Sequence, residues 1–159
     1  MLLTESLLHS KGIKKPQIVM KYFAEMGITS VEDLLSYWRS LSINGHLICL
    51  NGVGYKTDVI LNNWMIEEDA LENPIGYGAL RIALRKEVIK ARTGKKIDNS
   101  GQLHGYLIHA GIKTLKDLID DKTEVYRDWG SFTSGVIGSV KLYGILYKGD
   151  KLCTETHSH

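Results

Sequence analysis

Tyr22-Phe23-Ala24-Glu25-Met26-Gly27-Ile28-Thr29-Ser30-Val31-Glu32-Asp33-Leu34 and Tyr106-Leu107-Ile108-His109-Ala110-Gly111-Ile112-Lys113-Thr114-Leu115-Lys116-Asp117-Leu118 stand 84 residues apart in one chain. Each stretch reads as a helix end, a turn and a helix start. Gly27 and Gly111 follow apolar helical residues and suit the left-handed position that closes a helix. Ser30 and Thr114 are N-cap types, with Asp33 and Asp117 three residues on, a variant of the capping box. At the same offset Gly54 meets Gly138 and Leu61 meets Ile145. A constant offset over about 40 residues points to an internal duplication.

Working outward, the chain has 16 glycines but only two prolines, Pro16 and Pro74. Helical spacing of apolar residues recurs and strand-like alternation is scarce. The pattern predicts helices near 4–10, 16–25, 31–41, 45–50, 55–66, 77–93, 100–109, 115–121 and 134–147. Pro16 suits a first helical turn, where its missing N–H costs nothing, and Gly94 is placed to close the longest basic helix. The expected fold class is all-α. Apolar residues make up 43% and charged residues 24% of the 159, a globular composition that excludes a disordered tail protein. No apolar run reaches the roughly 18–20 residues of a membrane span. Residues 1–10 do not read as a signal peptide. Cys49 and Cys153 are too few for a disulfide scaffold or a four-cysteine metal site. The six histidines show no ligand spacing, so neither a metal nor a cofactor is expected. Cys49, Trp38, Trp64 and Trp129 read as core residues.

The net charge of +2 hides an asymmetry. Residues 1–74 carry six Lys/Arg against nine Asp/Glu, and residues 75–159 carry fourteen against nine. Seven basic residues fall between Arg81 and Lys96, with Glu87 the one acid. At 100° per residue, Arg81, Arg85, Arg92 and Lys96 share a strip about 60° wide. Leu80, Leu84, Val88 and Ala91 fall on a neighbouring, core-facing arc. Such a strip suits phosphates, because Lys and Arg neutralise them and release counterions.

Leu50-Asn51-Gly52-Val53-Gly54-Tyr55-Lys56-Thr57-Asp58-Val59-Ile60-Leu61 resembles the helix-hairpin-helix motif of DNA-binding and DNA-repair proteins. Asn51 replaces a frequent Pro, and Asp58 stands where the family usually has Ala. Two glycines permit a tight hairpin with positive φ, assigned to Gly54 as well as Gly52. Their N–H groups can approach a phosphate beside the positive end of the next helix. Lys56 and Thr57 add a charge and a hydroxyl, and Val53 packs the hairpin. Gly12-Ile13-Lys14-Lys15-Pro16-Gln17-Ile18 looks like the first motif of a tandem pair. Gly12, Lys14 and Lys15 would be its phosphate contacts. The resemblance covers residues 4–66. In the second half Lys96-Ile97-Asp98 and Val136-Ile137-Gly138 replace the two hairpins.

The resemblance implies a tandem helix-hairpin-helix unit at 1–70, a basic connecting helix at 75–97, a divergent copy at 98–148 and a flexible tail at 149–159. It implies a non-catalytic DNA-binding protein of repair, recombination or DNA processing, held mainly by backbone contacts. The expected location is cytoplasmic, or nucleoid or nuclear, with no membrane association. One alternative is a helical protein-interaction module that has lost DNA and binds a protein partner. Another follows from the hairpin's similarity to endonuclease III-like base-excision glycosylases. In those, the Lys at the position of Lys56 attacks the sugar and forms a Schiff base. Their partner Asp has no counterpart in Pro74-Ile75-Gly76-Tyr77-Gly78-Ala79-Leu80-Arg81, and their cysteine cluster is absent.

Overall fold

A computed structural model describes residues 1–41, 46–93 and 98–157, with side chains up to 146. The chain is all-helical. Its elements are α1 (Glu5–Ser10), α2 (Pro16–Glu25), α3 (Val31–Ser40), α4 (Tyr55–Glu72), α5 (Tyr77–Ala91), α6 (Ser100–His109), α7 (Leu115–Asp120), a 3₁₀ turn (Val125–Asp128) and α8 (Ser131–His157). Among the described residues the only β pairing is an isolated bridge between Leu2 and Ser30. No helix among them is long and apolar enough to cross a membrane.

Two compact units divide the chain, Met1–Glu68 and Asp69–His159. Leu8, Ile13, Val19, Phe23, Leu34, Leu61 and Met65 are buried in the first. Leu80, Leu84, Val88, Leu103, Leu107, Leu118, Ile137 and Val140 are buried in the second. The basic helix α5 is therefore a core element of the second unit, packed on α6, α7 and α8. The expected bridging role at 75–97 is not what its apolar arc does, although Ala91, at its end, is exposed.

The helix ends show why these segments fold where they do. After α2, Ile28 N–H donates to Phe23 O at 2.9 Å and Gly27 N–H to Ala24 O at 3.0 Å. After α6, Ile112 N–H donates to Leu107 O at 2.8 Å and Gly111 N–H to Ile108 O at 2.9 Å. Gly27 and Gly111 take φ of +78° and +86°. Each closure is a Schellman motif whose apolar pair, Phe23 with Ile28 and Leu107 with Ile112, is buried. Ser30 and Thr114 then cap α3 and α7 by accepting from the N–H of Asp33 and Asp117, and Thr114 with Asp117 completes a capping box. A third closure of the same kind follows α1: Ile13 N–H donates to Leu8 O and Gly12, at φ +94°, donates to His9 O.

Element correspondence runs further than these turns. Adding 84 to Pro16–Glu25 gives Ser100–His109, the observed α6. The first N–H of α3 donates to Met1 O and that of α7 to Gly76 O. Thirty residues separate the first pair and 39 the second, and the extra length lies mainly in α5, with 15 residues against six in α1.

Several expectations give way. Residues 46–50 are not helical, so the helix expected at 45–50 does not form there; Gly45 lies outside the described residues. Gly94, expected to end the basic helix, also lies outside them, and α5 stops at Ala91 with Thr93 at φ +56°. The helix expected at 134–147 is longer at both ends, as α8 runs from Ser131 to His157. Cys49 is exposed rather than in the core.

Candidate nucleic-acid interface

The first glycine turn, Lys11 to Lys15, joins α1 to α2. Lys11 Nζ sits 5.1 Å from the centre of the Trp64 ring, a cation–π contact that fixes its stem. A Cβ on Gly12 would lie 3.8 Å from Ile60 Cδ1, so the turn rests against α4. Lys14 is exposed and has no ion-pair partner among the described residues. Lys15 Nζ donates to Gly52 O at 3.0 Å. One hydrogen bond thus draws the second glycine turn beside the first.

The second turn runs from Leu50 to Gly54. Val53 N–H donates to Leu50 O at 3.1 Å, and Gly52 takes φ +85°. Gly54 is not in the left-handed region, contrary to expectation. It directly precedes α4, a position where N-caps are extended, and its carbonyl accepts from Thr57 N–H at 3.0 Å. Lys56 is exposed and unpaired among the described residues; Thr57 and Val53 are half-buried. The N–H groups of Tyr55 and Lys56 find no acceptor among the described residues, as expected for a first helical turn. The positive end of an 18-residue helix and two lysines, Lys14 and Lys56, therefore face solvent in this unit.

Asp58 explains why no helix precedes this turn. Its Oδ1 accepts from Leu47 N–H at 2.8 Å and from Ile48 N–H at 3.2 Å, and His46 Nδ1 lies 3.0 Å from its Oδ2. An Ala in its place would leave those two backbone donors without this acceptor. The carboxylate instead holds the segment non-helical.

The arginine strip is turned into its own unit. Arg81, Arg85 and Arg92 are half-buried. A Cβ on Gly101 would lie 2.6 Å from Arg81 Nη2, so the Arg81 guanidinium is laid on the α6 backbone. Burial pulls that guanidinium below its ordinary pKa. Arg85 Nε lies 3.2 Å from Asp98 Oδ2, and the Arg92 guanidinium sits 4.7 Å from the centre of the Phe132 ring. Burial raises the Asp98 carboxyl, but Ser100 hydrogen bonds and the two arginines outweigh it, and the net shift is downward. Lys96 lies outside the described residues. The exposed cations of α5 are Lys86 and Lys90, one turn apart. Their i, i+4 spacing in the sequence is the signal that marks this exposed basic face.

Positions 136–138, which match Gly52-Val53-Gly54 at the offset of 84, lie inside α8. The second unit has no glycine turn there. Asp98, matching Lys14 at that offset, is engaged with Ser100 and Arg85. The turns at Gly12 and Gly52, with Lys14 and Lys56 beside them, thus lie in the first unit. Among the described residues no three His, Cys, Asp or Glu side chains gather to hold a metal. No protein-family model, curated protein or solved structure matches this chain.

Proposed function

We propose that the chain is a non-catalytic DNA-binding protein of the helix-hairpin-helix kind, with its backbone contacts concentrated in the first unit. The observation that carries this reading is the pairing of two positive-φ glycine turns, Gly12 and Gly52, through Lys15, with Lys14 and Lys56 exposed beside them. Gly52, Gly54 and Thr57 bring backbone and hydroxyl groups near a phosphate, and Lys14 and Lys56 supply mobile charge. The engaged arginines Arg81, Arg85 and Arg92 take a structural part in the second unit. Lys56 acts as a cation: the carboxylate nearest it in sequence, Asp58, is committed to Leu47 and Ile48 and does not serve as its acid partner.

Titration of duplex DNA at several salt concentrations tests the reading. Lys14→Ala and Lys56→Ala should each lower the slope of log K against log salt by about 1, whereas Arg92→Ala should leave it unchanged. No binding of either duplex or single-stranded DNA at low salt would sink the proposal. The inward turn of the arginine strip favours one second reading, a helical protein-interaction module. Capture of a protein partner with no nucleic acid retained at low salt would decide for it.

A further inference from the structure

We propose that the hollow beside the second glycine turn receives the base of an unpaired nucleotide whose phosphate rests on that turn. This inference deepens the DNA reading above and depends on it. The hollow measures about 250 Å³, and its walls include Ile48, Leu50, Asn51, Val53, Tyr55 and His46. That is below the ~300–1,000 Å³ of sites for drug-sized ligands and suits a single flat ring system. Ile48, Leu50 and Val53 give apolar surface. Asn51 is exposed and brings an amide with both donors and an acceptor.

Tyr55 is the feature that points to a base. It is 76% exposed, more than any other exposed large hydrophobic residue of the first unit. It stands between Gly54 and Lys56, so its ring and the phosphate-binding groups are within the span of one nucleotide. An exposed aromatic beside a cationic backbone track is the general arrangement by which proteins hold single strands. His46 adds direction. Asp58 engages its Nδ1 at 3.0 Å, which fixes the ring and leaves Nε2 as the nitrogen available to a ligand. The Asp58 oxygens are used on Leu47, Ile48 and His46, which lessens their repulsion of a nucleotide.

A paired base cannot enter, because both its faces are stacked and its edge is occupied; extrusion costs a few kcal/mol in a duplex and little in a single strand. The ligand class is therefore single-stranded DNA, a frayed end or a gap.

The test compares two dye-labelled oligonucleotides of equal length and phosphate count, one of ordinary single-stranded DNA and one of abasic tetrahydrofuran residues. A blunt duplex serves as the third ligand. Anisotropy titrations use the full chain as wild type, Tyr55→Ala and Tyr55→Phe. The wild type should bind the base-bearing strand roughly tenfold tighter than the abasic strand. That ratio should fall to near one in Tyr55→Ala and persist in Tyr55→Phe. A wild-type ratio of one, or a ratio unmoved in Tyr55→Ala, overturns the base site while leaving the phosphate reading intact. Failure of all three ligands to bind at low salt overturns both.

Discussion

Gly52 and Gly54 stand two residues apart and are held by different constraints. Gly52 takes φ +85°, and no neighbour lies within 4 Å of where its Cβ would be; the obstacle to a side chain is backbone strain alone. A β-branched residue there costs about 1–3 kcal/mol, so Gly52→Val should lower the denaturant midpoint accordingly. Gly54, also with open space around it, is in the cap position of α4, so Gly54→Ser should leave stability within about 0.5 kcal/mol. Equal losses in both would show that the hairpin assignment is misplaced. His104 offers a second prediction. It is 1% exposed, its Nε2 is 3.1 Å from Lys113 O, and its Nδ1 has no partner among the described residues. Burial, with Arg81 nearby, pushes its pKa from 6.5 to about 4. Between those values the unfolded chain binds a proton that the folded chain refuses, so acid favours unfolding. Stability held above pH 6.5 should decline towards pH 4 by up to about 3 kcal/mol. In His104→Gln that part of the slope should vanish, as denaturation at a series of pH values would show. The buried His could not be foreseen: its sequence neighbours Leu103 and Gly105 say nothing of Tyr77, whose ring centre lies 4.4 Å away.

At the scale of single elements, what could be read in the sequence depended on whether the signal was local. Gly27, Ser30, Gly111 and Thr114 mark helix boundaries through hydrogen bonds spanning five residues or fewer, and those boundaries match the structure closely. The segment before α4 did not yield to the same reading, because its conformation is set by Asp58, ten or more residues downstream. A carboxylate in the first turn of a helix reads as a favourable charge; its reach back to Leu47 and Ile48 is tertiary. Asp58→Ala should therefore destabilise the first unit by about 2–3 kcal/mol, the usual loss for backbone donors left without a charged acceptor. Hydrogen exchange at the amides of Leu47 and Ile48 should rise more than at Leu103 or Leu107. Protection unchanged at 47 and 48 would refute the role given to Asp58. The arginine strip failed for a related reason. Helical projection gives the angle of a side chain and not what lies opposite, and Gly101, Asp98 and Phe132 come from other parts of the second unit.

Across the whole molecule, the all-helical character was legible in the recurring helical spacing, and the two compact units Met1–Glu68 and Asp69–His159 each carry their own buried core. The resemblance placed one set of candidate contacts, Gly12, Lys14, Gly52 and Lys56, in the first half, and Gly12 and Gly52 each take positive φ there. What no periodicity could reveal is that the turns meet. Lys15 reaches Gly52 across 37 residues, a separation that has a kinetic meaning. A contact of that span yields nothing until the intervening chain has already been ordered, so its formation belongs late in folding, after the transition state. Lys15→Met keeps the apolar stem and removes the bond, a loss of about 1 kcal/mol. Stopped-flow measurement should then show an unaltered folding rate and unfolding faster by roughly fivefold. The bond between the two turns would be among the last made when the unit closes and among the first broken when it opens, so that one ammonium group on one carbonyl lengthens the life of the assembled face without hastening its formation.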